Sequence, residues 1–364
     1  MRIVQKTAAL LLVLCTVALT GCAGADTQWV YEDGGYRIPA GLYILYQMDA
    51  LESARQKLQE EHQGDAGFSL PAQKELMKLT LEGKTVSDWI NEKARESCRK
   101  WFAIAQQCEA RGLVLSDADK STIDRNADSI WAQSQQQIEP NGIAISSVRD
   151  YYASEVRKTY LFENIYAEGG ELAPGDGALK EIFAKDYAKI ETLALTRPTT
   201  VPEGETKTLE QLSADVKTQA EGYLKRLEEG AAIEDLAYEY GLSQAQTEEE
   251  KAAITKPEKS QMQMIVTEDY RASYGDALVD GAFAAGTGKT ALVEADGYYA
   301  VIRRLDIMAD PVDFENYSYT ILLSLKSEEF EGKLTEWAAA AQPGANQAAL
   351  NRYQPAKLKE AAAQ

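Results

Sequence analysis

The stretch GTGKT at positions 286–290 has the residue types of a phosphate-binding loop. Such a loop follows the pattern G-x-x-x-x-G-K-[ST] between a strand and a helix, and its backbone N–H groups surround the phosphates. Here the first glycine of the pattern is replaced by Phe283, while a helix pattern precedes the stretch and a strand pattern follows it. We therefore interpret it as a helix-to-strand turn, in which Gly286 and Gly288 are available for positive φ. The sequence predicts no nucleotide partner.

The chain contains a single histidine, His62, which limits the chemistry that it can perform. A multi-histidine metal site cannot form within one chain, and a histidine-dependent serine or cysteine nucleophile would have to use this residue. His62 lies in a polar stretch at the end of a helix pattern, where a solvated histidine suits the helix dipole. We predict no catalytic side chain, no metal and no cofactor.

Composition indicates a globular protein, with 45% hydrophobic and 26% charged residues over 364 positions. The formal net charge of −19 makes nucleic acid an unlikely class of partner, because an acidic surface repels a phosphate backbone. Basic or unfolded protein segments are compatible with this charge. The alternative is that the charge serves only to keep the protein soluble.

The N-terminus has the pattern of an export signal. Two basic residues precede an apolar run from Thr7 to Thr20, which is shorter than the roughly 20 residues of a membrane-spanning helix. The run ends in Leu-Thr-Gly-Cys22, which resembles the lipobox of bacterial lipoproteins. This resemblance implies a signal peptide at 1–21, lipidation of Cys22 and anchoring at the extracytoplasmic face of the membrane, with the lipid bilayer as a partner. An ordinary secretory signal is the alternative.

Cys98 and Cys108 lie in one strong helix pattern, ten residues apart. At a rise of 1.5 Å per residue they are roughly 15 Å apart, which is beyond the reach of a disulfide. We predict that both are small buried core residues.

Helix patterns fill the first half of the chain. Residues 86–111 place an apolar residue at every third or fourth position, and Ser116 begins a capping box. Further helices are predicted near Ser147 and from Asp176.

The pattern changes after residue 186. We predict a strand over 187–196, helices over 209–230 and 232–241, and two strands in 290–307 around an Asp-Gly turn, while 241–263 has no clear pattern. A helix begins at Pro311, and Ser327 is predicted to cap another one.

Two stretches resemble a known family. "YLKRLEEGAAIEDLAYEYG" and "ALVDGAFAAGTGKTALVEADGYYAVIRRLD" are similar to parts of parvulin-type peptidyl-prolyl isomerase domains. In architecture the chain resembles bacterial lipid-anchored foldases of the PrsA and SurA type. The resemblance implies an α+β fold, in which a mainly helical chaperone domain (22–185 and 309–364) contains an inserted parvulin-like domain (186–308) with a small antiparallel sheet and helices.

The resemblance also implies a peptide-binding pocket, at whose positions this sequence departs from the family. Thr192 and Tyr299 stand where parvulins usually have histidines, and Ser243 stands where they have cysteine or aspartate. The positions that hold the proline ring fall on Tyr274 and Leu278. Isomerisation needs no covalent chemistry, only a pocket that lowers a barrier of about 20 kcal/mol, so these changes predict weak or lost activity.

The full set of predicted pocket residues is Thr192, Ser243, Tyr274, Leu278, Phe283 and Tyr299. From these features we predict a membrane-anchored extracytoplasmic chaperone or foldase that binds unfolded or partly folded exported proteins. An active peptidyl-prolyl cis-trans isomerase is the first alternative. A solute-binding lipoprotein of a transporter is the second, although that class needs two α/β lobes and the long helical first half argues against it.

Overall fold

The structure is a computed structural model that describes residues 28–65 and 67–359. The predicted signal peptide and Cys22 lie outside these residues. By its contacts the chain divides into two compact units, of which the second is Pro174–Leu325 and the first contains the described residues on either side of it. The predicted limits of the inserted domain, 186–308, stay a prediction.

The helices are α1 Ala40–Glu61, α2 Gln73–Leu76, α3 Val86–Ala110, α4 Asp117–Ile138, α5 Ile145–Tyr166, α6 Asp176–Asp186, α7 Leu209–Glu228, α8 Ile233–Gln244, α9 Glu248–Ala253, α10 Arg271–Tyr274, α11 Asp276–Ala284, α12 Pro311–Ala340 and α13 Gln347–Arg352. The strands are β1 Trp29–Asp33, β2 Tyr36–Pro39, β3 Thr80–Leu81, β4 Lys84–Thr85, β5 Ala188–Thr196, β6 Gln263–Val266, β7 Thr290–Ala295, β8 Tyr298–Arg304 and β9 Gly344–Ala345.

The first unit is built around α1, α3 and α5. The predicted apolar stripe of α3 is buried along its whole length, and its members are Ile90, Ala94, Cys98, Trp101, Ala105 and Cys108. Both cysteines are free thiols. Ser116 caps α4 through the predicted capping box with Asp119. The two ends of the described chain meet in one small sheet, because β9 pairs with β1 of the β1–β2 hairpin.

His62 follows the last residue of α1, as the sequence predicts. Its side chain is 42% exposed, and its ring stacks on Phe68 with a centroid distance of 3.9 Å.

The second unit is a four-stranded antiparallel sheet in the order β6-β5-β8-β7, with helices on both faces. Side chains alternate across β5, so that one face of the sheet packs against α11 and the other against α7 and α8. We call these the α11 face and the α7–α8 face. The predicted fold class is confirmed: the chain is α+β, mainly helical, with small antiparallel sheets.

One local prediction is wrong. No helix begins at Ser327, because α12 continues unbroken from Pro311 to Ala340. The intervening residues include no proline, and a serine within a helix does not interrupt it unless its side chain competes for the backbone. The segment 241–263, which has no clear pattern, contains α9 and the first residue of the edge strand β6.

Candidate functional site

The register of the central strand pair decides where the predicted pocket residues lie. Thr192 is opposite Ile302, whereas Tyr299 is opposite Leu195. Directly opposed residues of an antiparallel pair project to the same face. Ile302 packs on the α11 face, while Leu195 and Tyr299 pack on the α7–α8 face. Thr192 and Tyr299 therefore project to opposite sides of the sheet.

The other four positions are divided in the same way. Leu278 and Phe283 belong to the core of the α11 face. Tyr274 is 46% exposed at the end of α10, and its carbonyl accepts a hydrogen bond of 2.8 Å from the Tyr298 hydroxyl. Ser243 lies in α8, where its hydroxyl donates to the Tyr240 carbonyl at 2.7 Å. The six residues do not come together in one pocket.

The surroundings of Tyr299 are filled by protein. The residue is 3% exposed and packs with the core residues of α7 and α8. Cationic groups of Arg197 and Lys217 lie over its ring, at 5.1 and 6.0 Å from the centroid. Its hydroxyl is 3.5 Å from that of Ser213. A proline ring has no room to enter here without displacing these side chains.

Sequence reasoning missed Glu191, the buried charge of this sheet. Its side chain is fully buried, and one carboxylate oxygen accepts hydrogen bonds from Arg303 Nε at 2.9 Å and Nη2 at 2.5 Å. The other oxygen accepts from Gln263 at 3.2 Å and lies 3.4 Å from Lys259 Nζ. Burial acts to raise the pKa of Glu191, but the hydrogen bonds from Arg303 and Gln263 and the nearby cations outweigh it, so the pKa is lowered. The sequence could have indicated this ion pair, because Glu191 is the one acidic residue in the largely apolar strand β5 and β8 contains two arginines.

The GTGKT stretch forms a turn in which two backbone N–H groups already donate hydrogen bonds within the protein. Gly288 has φ of +75°, as predicted, whereas Gly286 does not have a positive φ. The Gly288 N–H donates to the Arg304 carbonyl at 2.8 Å, and the Lys289 N–H donates to the Gly286 carbonyl at 2.8 Å. These two amides are not available to a phosphate.

A groove of about 440 Å³ lies between α6, the end of β6 and α12, entirely within the second unit. Its lining residues are Ile182, Asp186, Tyr187, Thr267, Glu268, Asp269, Ile321, Ser324 and Leu325. Its residue Tyr187 belongs to a cluster of aromatic rings: the ring of Phe183 lies 5.1 Å from that of Tyr187 and 5.7 Å from that of Phe314, and the ring of Tyr187 lies 5.2 Å from that of Tyr317. We call this site the α6–α12 groove.

The first half of α12 and the residues just before it expose several apolar side chains. Five of the ten large apolar residues that are exposed in the described chain fall between positions 308 and 325, and they are Met308, Val312, Tyr319, Leu323 and Leu325. We call this stretch the apolar segment 308–325. Val312 and Leu323 are eleven residues apart, which places them on one side of the helix.

The described residues contain no group of three or more histidine, cysteine, aspartate or glutamate side chains that could hold a metal ion. Within 28–65 and 67–359, no helix is both long enough and apolar enough to cross a membrane.

No family model matches the chain, and no curated protein matches it. Three solved structures that are similar to it are PrsA foldases. The foldase protein PrsA from Streptococcus pneumoniae str. Canada MDR_19A is 13% identical, with 76% of this chain and 97% of that chain covered and a TM-score of 0.31. PrsA from Bacillus subtilis is 14% identical, with 74% and 93% covered and a TM-score of 0.30. The foldase protein PrsA from Lactococcus lactis is 9% identical, with 90% and 99% covered and a TM-score of 0.33.

Proposed function

We propose that this protein is a membrane-anchored extracytoplasmic chaperone that binds unfolded or partly folded exported proteins. The observation that carries the proposal is the apolar segment 308–325, where Val312 is 51% exposed and Leu323, on the same side of α12, is 37% exposed. Exposed apolar side chains that are concentrated in one stretch mark a surface for binding another protein. An unfolded chain offers apolar side chains that such a surface can cover.

The placement of the predicted pocket residues favours binding over isomerisation. A prolyl isomerase needs a pocket that holds the proline ring and the twisted amide together. Here Thr192 and Tyr299 lie on opposite faces of the sheet, and Tyr299 is 3% exposed. We therefore propose that prolyl isomerase activity is weak or lost.

The anchoring part of the proposal rests on the sequence around Cys22. A lipid on this cysteine would hold the protein at the outer face of the cell membrane, where exported chains emerge unfolded. Stable anchoring needs two or more acyl chains. Mass spectrometry of the N-terminal peptide tests this part directly, since an unmodified Cys22 or an intact residue 1–21 segment would contradict it.

The chaperone activity is tested by light scattering of a chemically unfolded client protein. The purified protein should reduce the aggregation of the client. The double variant Val312→Ser with Leu323→Ser should lose much of this effect, because it removes two exposed apolar side chains from the apolar segment 308–325.

The matched control is Val114→Ser with Leu209→Ser, which changes the same residue types at exposed positions elsewhere (77% and 38% exposed). It should protect the client as well as the original protein does. Equal protection by both double variants would contradict the role of the apolar segment 308–325.

Isomerase activity is tested in parallel by a refolding assay in which proline isomerisation limits the rate. The protein should accelerate refolding little, and strong acceleration by catalytic amounts would instead favour the active isomerase.

A further inference from the structure

The α6–α12 groove has an apolar floor and an acidic edge. Ile321 is 1% exposed at its base, and Leu325 is 43% exposed at its rim. Asp186, Glu268 and Asp269 supply three carboxyl groups, and among the described residues no lysine, arginine or histidine lines the groove. The volume of about 440 Å³ lies within the range of about 300–1,000 Å³ that is typical of ligand sites. It therefore suits a few side chains rather than a folded domain.

Two of these carboxylates are available to a ligand. Glu268 is already engaged by the guanidinium of Arg271, which binds both of its oxygens. Asp269 makes no ion pair within the described part of the chain. Asp186 forms an ion pair with its exposed neighbour Lys185, at 3.6 Å.

Asp186 and Asp269 both act on the groove residue Tyr187. Burial raises the pKa of Tyr187, and the negative charges of Asp269 and Asp186 raise it further. Both carboxylates line the groove together with this aromatic ring. Lys189 of β5 is paired with Asp313 at 2.6 Å.

We infer that the α6–α12 groove binds extended segments of client proteins in which an aliphatic or aromatic side chain is next to lysine or arginine. The inference rests on the proposed function and deepens it by naming the class of segment that is recognised. The apolar side chain would pack on Ile321 and Leu325, and the neighbouring cation would lie between Asp186 and Asp269. The formal net charge of −19 adds a long-range attraction for basic segments.

The test is fluorescence anisotropy with a labelled peptide in which each leucine is followed by lysine, within glycine and serine. A second peptide has glutamate in place of every lysine. The protein should bind the basic peptide more tightly than the acidic one, and added salt should weaken the binding of the basic peptide. The double variant Asp186→Asn with Asp269→Asn should weaken binding of the basic peptide by about fivefold to tenfold, as expected for two partly exposed charge pairs.

The matched control is Glu210→Gln with Glu249→Gln, which makes the same change in net charge at exposed positions outside the groove. It should bind the basic peptide within about twofold of the original protein, because long-range attraction alone is screened over about 8–10 Å. The single variant Leu325→Ser removes the apolar contact without changing the charge and should also weaken binding. Circular dichroism and thermal unfolding of each variant show that the fold is kept.

Failure of the inference and failure of the proposed function give different results. If the protein protects an unfolded client but the groove variants bind the basic peptide as tightly as the original, the groove is not the binding site and the inference is wrong. An equal loss in the control variant also overturns it, since net charge alone would then explain the binding. If the peptides bind selectively at the groove but no client is protected, the groove stands and the chaperone function is wrong.

Discussion

Glu191 on β5 and Arg303 on β8 face each other across the central strand pair and form a buried ion pair, with Arg303 Nη2 at 2.5 Å from the carboxylate. The glutamate is fully buried, and the arginine side chain is 24% exposed. Gln263 of β6 donates to the same carboxylate, so one side chain joins three neighbouring strands. A buried charge of this kind is tolerated only while its partners satisfy it.

We expect Glu191→Ala to destabilise the protein by about 3–5 kcal/mol, because the substitution leaves Arg303 and Gln263 without their acceptor and opens a cavity in the sheet. Urea unfolding followed by circular dichroism measures the change. Glu294→Ala is the matched control on β7, since that glutamate also contacts two cations but is 49% exposed. It should cost less than about 1 kcal/mol, and equal losses in the two variants would contradict a special role of burial.

The same ion pair should make stability fall in acid. The folded-state pKa of Glu191 is lowered from an ordinary value of 4.5, so its contribution is complete above that value and is lost as the pH falls through the lower folded-state pKa. We expect the free energy of unfolding to decline below about pH 5. Glu191→Gln cannot lose this contribution, so its decline between pH 5 and pH 3 should be shallower. Parallel curves for the two proteins would contradict the assignment.

Local patterns of the sequence predicted the helical parts of this fold. The apolar stripe of α3, from Ile90 to Cys108, repeats every three or four residues and is buried throughout. The capping box that begins at Ser116 needs only four consecutive residues. In both cases the physical cause lies within one turn or one helix face, so neighbouring residues are sufficient to reveal it.

Contacts between residues that are far apart in the sequence could not be predicted from local patterns. The pairing of Tyr31 with Ala345 joins the two ends of the described chain, and Glu191 meets Arg303 across 112 positions. For the same reason, the sequence did not reveal that Thr192 and Tyr299 project to opposite faces of the sheet. Matching Thr192 and Tyr299 to family positions one at a time does not fix the strand register, and a shift of one residue moves a side chain to the other face of the sheet.

The GTGKT turn should not bind nucleotide. The N–H groups of Gly288 and Lys289 already donate to backbone carbonyls, so the loop cannot offer them to a phosphate. We expect MgATP to leave the melting temperature unchanged, both in the original protein and in Lys289→Ala. A rise in melting temperature that Lys289→Ala abolishes would show that the turn does bind phosphate.

The packing of α11 on the sheet depends on Gly281. A Cβ built on this residue would clash with Val293 Cγ2 on β7. Gly281→Ala should therefore destabilise the protein by about 1–3 kcal/mol, because the buried Val293 side chain, the helix or the strand must shift to relieve the clash. Gly222→Ala in α7 is the matched control, since nothing lies within 4 Å of its added Cβ. There the substitution should stabilise the protein by about 0.5–1 kcal/mol, because alanine favours a helix interior more than glycine does. Urea unfolding of the two variants should thus give changes of opposite sign, and changes of the same sign would contradict the close approach of α11 to β7.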